Sequence, residues 1–231
     1  MKYLLLPDNE DRHLSFYLAT EEYAARHIVG DAATDLFFTW QVRPTVICGR
    51  NQVVENEVNL RYCRCHDIDV VRRKSGGGCV YADQGNVMLS MITHDENVNM
   101  TYNRFMGLLV LLLRQMGIQA TSTSHNDVMI GDRKVSGTAF YHLPGASIIH
   151  ATMLFDTCMD HMLNAITPST EKLQRKGVES VRQRITLLKD YTTMDTAEFR
   201  TMAKTLLCQG EQLLSDDDVR NIETLEQGYF Y

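Results

Sequence analysis

The chain has 231 residues, 44% hydrophobic and 23% charged, long enough to bury a sizeable core, and its 14 Gly and 4 Pro exclude a linker-like or collagen-like composition. A net charge of −6 argues against a nucleic-acid binder that relies on general phosphate neutralisation. The six cysteines are scattered, no secretory leader opens the chain, and the longest apolar run, at 106–113, falls far short of the ~20 residues that span a bilayer, so the expected home is a reducing cytoplasm without a membrane segment.

In chain order, residues 2–6 form a short apolar run closed by Pro7 and read as a strand; 15–27 carry apolar residues at helical spacing, with Glu21 and Glu22 expected to point outward. Residues 35–42 and 45–49 are rich in β-formers and separated only by Arg43-Pro44, which predicts two paired strands. A short helix is expected over 58–66. The β-branched run 69–73 enters Ser75-Gly76-Gly77-Gly78, and strand patterns resume at 79–81 and 87–93, so the glycines sit between strands. Residues 101–116 give the strongest helical pattern, with Gly117 placed as its C-terminal cap. Residues 127–130 and 134–141 flank Gly131-Asp132-Arg133, a predicted hairpin turn, and 150–155 read as a further strand. Helical patterns then dominate at 158–166 before Pro168, at 196–209 before Gly210, and at 215–227. Strands early and helices late, without repeats or an interdomain linker, predict one α+β domain over 1–231, built on a mixed, largely antiparallel sheet with flanking helices.

The glycine triplet lets a ligand approach the main chain, and its consecutive N–H groups suit an anion. Arg72, Arg73 and Lys74 are expected to add positive charge to the same corner. The stretch 171–184 is a second basic patch, where Lys172, Arg175, Lys176, Arg182 and Arg184 outnumber Glu171 and Glu179. The loop is neither a Walker A loop, since no GK[ST] follows, nor a dinucleotide fingerprint, since a strand follows it. Lys134, just past a polar turn, is either a solvated charge or an electrostatic clamp on a reacting carboxylate and phosphate. Cys63, Cys65 and His66 lack the second ligand pair of a zinc site, so no metal is expected there. Cys48 and Cys79 read as small buried hydrophobes, with a nucleophilic role open. Trp40 lies mid-strand, a core position, and His150 opens a strand.

Taken together, RRKSGGGCVYADQGN at 72–86, Asn126-Asp127 and RKVSGTA at 133–139 resemble the lipoate–protein ligase A family. LATEE at 18–22, GRNQ at 49–52 with Glu57 and Asn59, HATML at 150–154 and KGVESVRQRIT at 176–186 extend the resemblance over most of the chain. The resemblance implies the biotin/lipoate ligase catalytic fold and an enzyme that activates lipoate with ATP and Mg2+ to lipoyl-AMP and passes the lipoyl group to a lysine. Its acceptors would be the lipoyl domains of 2-oxoacid dehydrogenase E2 subunits and the glycine-cleavage H protein. By position in the motif, Arg73, Gly78, Cys79, Val80 and Tyr81 correspond to nucleotide-binding residues, and Lys134 to the lysine that contacts both lipoate and the adenylate phosphate. Ser75, Asn86 and Asp127 match adenylate-pocket positions, and Trp40 and His150 match lipoate-pocket positions.

The resemblance also carries two departures. Full-length members of the family have a C-terminal accessory domain that assists adenylation, and this sequence is expected to end with the catalytic domain, which leaves room for a separate accessory protein. Cys79 stands where the family usually has a small residue such as Ala. The alternative is a lipoyl or octanoyl transferase that moves a preformed acyl group; related octanoyltransferases place their cysteine in the loop before the Lys134 region, where this chain has Thr123-Ser124-His125. A biotin ligase fits the RKxSG pattern less well, and a non-catalytic binder leaves the candidate reactive residues without a purpose.

Overall fold

The computed structural model describes residues 1–231 apart from 33, 96, 124–125, 168–183 and 230–231. The chain opens with β1 (Lys2–Leu5), α1 (Leu14–His27) and the single turn α2 (Val29–Ala32), followed by β2 (Leu36–Trp40) and β3 (Thr45–Cys48). Two short helices, α3 (Val54–Glu57) and α4 (Leu60–Cys65), lead to β4 (Asp69–Arg72), β5 (Val80–Ala82) and β6 (Asn86–Thr93). The long α5 (Val98–Gln115) precedes an antiparallel run of β7 (Ala120–Ser122), β8 (Asp127–Ile130), β9 (Arg133–Leu143) and β10 (Ala146–Leu154). Of the later elements, α6 (Met159–Ala165), α7 (Thr196–Leu207), β11 (Glu211–Leu213) and α8 (Asp216–Glu226) are described.

Eight strands form one sheet in the order β11-β1-β2-β6-β10-β9-β8-β7, parallel only where β1 meets β2 and β11. The expected α+β class and largely antiparallel sheet therefore hold. β6 and β10 occupy the middle and are buried along their whole length, so the polar side chains they carry, such as Ser90 and His150, are hydrogen-bonded within the fold. The helix ends follow local chemistry. At the end of α5, Gly117 at φ +77 closes the turn while Ile118 and Gly117 donate to the carbonyls of Leu113 and Arg114. Both α7 and α8 open with a reciprocal side-chain cap, Asp195 with Glu198 and Ser215 with Asp218.

The expectation that 35–42 and 45–49 pair with each other is corrected. β2 lies in the large sheet between β1 and β6, whereas β3 centres a second, three-stranded sheet, parallel to β4 and antiparallel to β5. The intervening Arg43 forks onto the Asp69 carboxylate at 2.8 and 3.0 Å, and Asp69 N donates to the Pro44 carbonyl, so the linker delivers β3 to β4. The small sheet separates two cores. Ile47 and Ala82 face the main core, while Val46, Cys48 and Tyr81 face a second one formed with Val54, Cys63, Leu154 and Met162.

The outward orientation expected for Glu21 and Glu22 is also corrected. Each is 2% exposed, because α1 is covered on both flanks, by β6 and β10 on one side and by α8 on another. No helix among the described residues is long and apolar enough to cross a membrane.

Candidate active site

The loop joining β4 to β5 is held from below by Arg73. Its guanidinium is buried and donates to the carbonyls of Ile47 (3.1 Å), Gly76 (2.6 and 3.2 Å) and Gly78 (2.8 Å). Burial pulls its pKa down from the ordinary arginine value, and four hydrogen bonds to carbonyls are what keep such a desolvated cation tolerable. The loop needs glycine for two reasons. Gly77 adopts φ +93, and a Cβ on Gly49 would stand 2.0 Å from the Gly77 carbonyl oxygen. The pooling of charge expected from Arg72, Arg73 and Lys74 does not occur: Arg72 donates to the carbonyls of Gly49, Arg50 and Gln52, and Lys74 turns to Glu22 at 2.6 Å. These cations fold the loop; the structure does not present them together as an anion receptor.

Lys134 reaches the same region from the opposite side. It lies near the start of β9, beside a register shift in β8 at Val128/Met129, and its Nζ meets Asp127 Oδ1 at 2.7 Å. The other Asp127 oxygen accepts from Arg184, which is brought alongside because Thr186 N donates to the Lys134 carbonyl and Ile185 bridges to Lys134 in parallel. Gly137 makes room for this ammonium, since a Cβ there would lie 2.6 Å from Nζ.

A buried polar chain forms the third part. The Trp40 indole N–H donates to Ser90 Oγ (2.9 Å), Ser90 donates to Glu21 Oε1 (2.5 Å), Glu21 Oε2 meets His150 Nδ1 (2.9 Å), and His150 Nε2 meets Ser75 Oγ (2.9 Å). The Glu21 carboxylate at Nδ1 and the Ser75 hydroxyl at Nε2 hold the imidazole at both ring nitrogens and fix its plane.

These parts surround a cavity of about 240 Å³ at the seam between the two sheets. Lys134, Asp127 and Arg184 form a charged end, and Leu18, Trp40, Ile47 and Met88 form an apolar wall. Of the residues predicted from sequence, Trp40, Arg73, Gly78, Cys79, Val80, Asp127, Lys134 and His150 line it. Ser75 stands behind His150. Tyr81 faces the second core, and Asn86 is fully buried with its Nδ2 donating to the Tyr81 carbonyl, so both shape the β5–β6 turn from outside the cavity. Glu21, Ser90, Gly137 and Arg184 were not assigned to the site from sequence. The signal for Glu21 lay in the LATEE segment, and that for Arg184 in the basic stretch. Lys172, Arg175, Lys176 and Arg182 of that stretch, with Ser124 and His125 of the loop before Asn126, lie outside the described residues.

Residues 13–207 match the model of the lipoyl protein ligase A/B catalytic domain. The chain belongs to this family. It is 35% identical to lipoate–protein ligase 1 of Staphylococcus aureus over 215 residues, covering 90% of this chain and 65% of that protein. It is also 35% identical to lipoate-protein ligase LplJ of Bacillus subtilis over 187 residues, 80% of this chain and 56% of the relative. The chain thus spans less than two thirds of the length of these curated relatives. Among solved structures, a chain from the structure of a bipartite lipoate protein ligase and its E2 lipoyl domain from Thermoplasma acidophilum superposes with a TM-score of 0.84 at 26% identity, covering 98% of this chain and 91% of that one. A lipoate-protein ligase A bound with ATP shares the fold, with a TM-score of 0.82 at 23% identity over 98% of this chain and 94% of that one.

Proposed function

We propose that the protein is a lipoate–protein ligase: it joins lipoate to ATP as lipoyl-AMP, releasing pyrophosphate, and then transfers the lipoyl group to a lysine amine of a lipoyl-domain protein, releasing AMP. The observation that carries this reading is the two-ended cavity, apolar along Trp40, Leu18, Ile47 and Met88 and cationic at Lys134 and Arg184. An aliphatic carboxylate fits the first end and the phosphate it attacks fits the second. Carboxylate and α-phosphate are both anions, so their approach needs fixed positive charge where the transition state accumulates negative charge. Lys134 supplies that charge, and the glycine loop adds main-chain N–H groups opposite it.

Asp127, the carboxylate lining this end, is engaged by both cations, so a magnesium ion arriving with ATP would draw its other ligands from phosphate and water. The site roles follow from the same reading: Lys134 contacts both substrates, Gly78, Cys79 and Val80 contact the nucleotide, and Trp40 and His150 border the lipoate tail, while Arg73, Ser75, Tyr81 and Asn86 hold the walls in place. Residues 1–231 act as one catalytic domain in the cytoplasm. The bipartite Thermoplasma neighbour supports an accessory polypeptide as a partner and an E2 lipoyl domain as acceptor; the glycine-cleavage H protein is a second acceptor in this reading, implied by the family resemblance. A cysteine-based acyl transfer is disfavoured, because the hydrogen bond to Cys48 and burial push the Cys79 thiol well above the ordinary range, away from the nucleophilic thiolate.

The test is the intact mass of an apo lipoyl domain incubated with this chain and lipoate, with and without ATP and magnesium, and separately with synthetic lipoyl-adenylate. ATP-dependent gain of one lipoyl group is expected. Modification from lipoyl-adenylate alone assigns activation to an accessory partner, and no modification from either donor overturns the reading.

A further inference from the structure

Cys48 ends β3 and Cys79 precedes β5. The antiparallel register of these strands pairs Val46 with Tyr81 and Ile47 with Val80; continued by one residue, it sets Cys48 opposite Cys79. Directly opposed residues in such a pair have Cα atoms about 4.5–5.5 Å apart, inside the roughly 4.4–6.8 Å span that a disulfide bridges. The side chains share a face, since both pack against the second core. They are also unequal in access: Cys48 is fully buried, whereas Cys79 is half-buried and lines the cavity.

We propose that Cys48 and Cys79 form a reversible oxidation site in the cavity wall, closed to a disulfide by a peroxide that enters through the cavity. The two thiols together give up two protons and two electrons, one S–S bond forms, the peroxide O–O bond breaks, and both oxygens leave as water. A thiol reductant reverses the step by exchange.

The electrostatic surroundings agree with the pairing: the neighbouring Cys79, with the Arg72 and Arg73 guanidinium groups, holds the Cys48 thiol below its ordinary value despite its burial. The cavity brings the peroxide to the Cys79 sulfur, and the buried Cys48 beside it closes the S–S bond as the second oxygen leaves as water. The consequence for function rests on the ligase reading given above. Cys79 closes the glycine loop that lines the cavity with Lys134, so a bond to Cys48 draws the Cys79 sulfur toward β3 and out of the cavity wall. Oxidation would then arrest adenylation.

The experiment treats the reduced full chain with hydrogen peroxide, blocks remaining thiols by alkylation, and maps peptides without reduction while following lipoyl-adenylate formation. The expected result is a Cys48–Cys79 linked peptide, activity lost in proportion to the linked fraction and regained with dithiothreitol, and resistance in Cys48→Ala, which ligates like the parent before treatment. Oxidation confined to the exposed Cys65 and Cys158, or a Cys48–Cys63 link, overturns the site. A Cys48–Cys79 link without loss of activity overturns its control of the reaction. If the untreated chain forms no lipoyl-adenylate, the ligase reading fails, whereas the peptide map still decides the disulfide.

Discussion

Lys134 and Glu21 have opposite relations to the sequence. Lys134 was legible because its motif, RKVSGTA, is contiguous and places it just past a hairpin turn. Glu21 was not, because its burial depends on His150, 129 positions away, and on Ser90, 69 positions away, and helical periodicity carries no information about such partners. Replacing Lys134 by Ala should lower lipoyl transfer by about 10²–10³-fold, the usual effect of removing one fixed group that stabilises developing charge. The fold should survive, since Asp127 keeps Arg184 as its partner. Transfer rate and thermal midpoint measured on the same preparation check both halves; retained transfer would remove Lys134 from the centre of the reaction. Glu21→Gln trades a buried carboxylate for an amide between His150 and Ser90, and should cost ~1–3 kcal/mol in denaturant unfolding.

At the scale of elements, most strands and helices were recoverable from pattern and turn chemistry, but the pairing of β3 was not. Short range favoured β2 as its neighbour. The actual partners, β4 and β5, are selected by the Arg43–Asp69 fork and by the way Ile47 and Val46 divide between two cores. The glycines at element ends differ in what they tolerate. At Gly117 a methyl group meets nothing within 4 Å, so Gly117→Ala should lose only about 1 kcal/mol of stability through its positive φ, with activity intact. Gly49→Ala drives a methyl into the Gly77 carbonyl, so the β4–β5 loop must move, and adenylation should fall far more than the melting temperature. A matched pair of activity and melting measurements separates the two, and equal effects at both positions would contradict the close approach.

On the scale of the whole molecule, Glu22 joins distant parts of the chain. It accepts from Lys74 beside the glycine loop, from Arg26 on its own helix and from Tyr229 near the C-terminus, 207 positions away. Burial alone would raise its pKa, and these three donors outweigh burial and hold it below the ordinary value of 4.5. A carboxylate depressed in the folded state contributes stability that is present above its unfolded pKa and is lost as pH falls through its folded pKa. Unfolding free energy measured from pH 6 downward should therefore decline below about 4.5 in the parent, and Glu22→Gln should flatten that part of the curve. An unchanged acid limb in the variant would show that other carboxylates set it.

The cavity belongs to neither sheet. One wall comes from α1, β2, β6, β8, β9 and β10, and the other from β3 and the loop that enters β5. Any molecule filling it acts as mortar between two layers that also meet through Ile47, Val71 and Ala82 in the main core and through Leu154 in the second. Occupancy and cohesion are then one thermodynamic quantity: a tightly held intermediate welds the layers together, and its departure restores the three-stranded sheet's freedom to part from the larger one. Backbone amides of β3, β4 and β5 should carry that signature in hydrogen exchange, slowing when the seam is filled while those of β6 and β10 stay as they were.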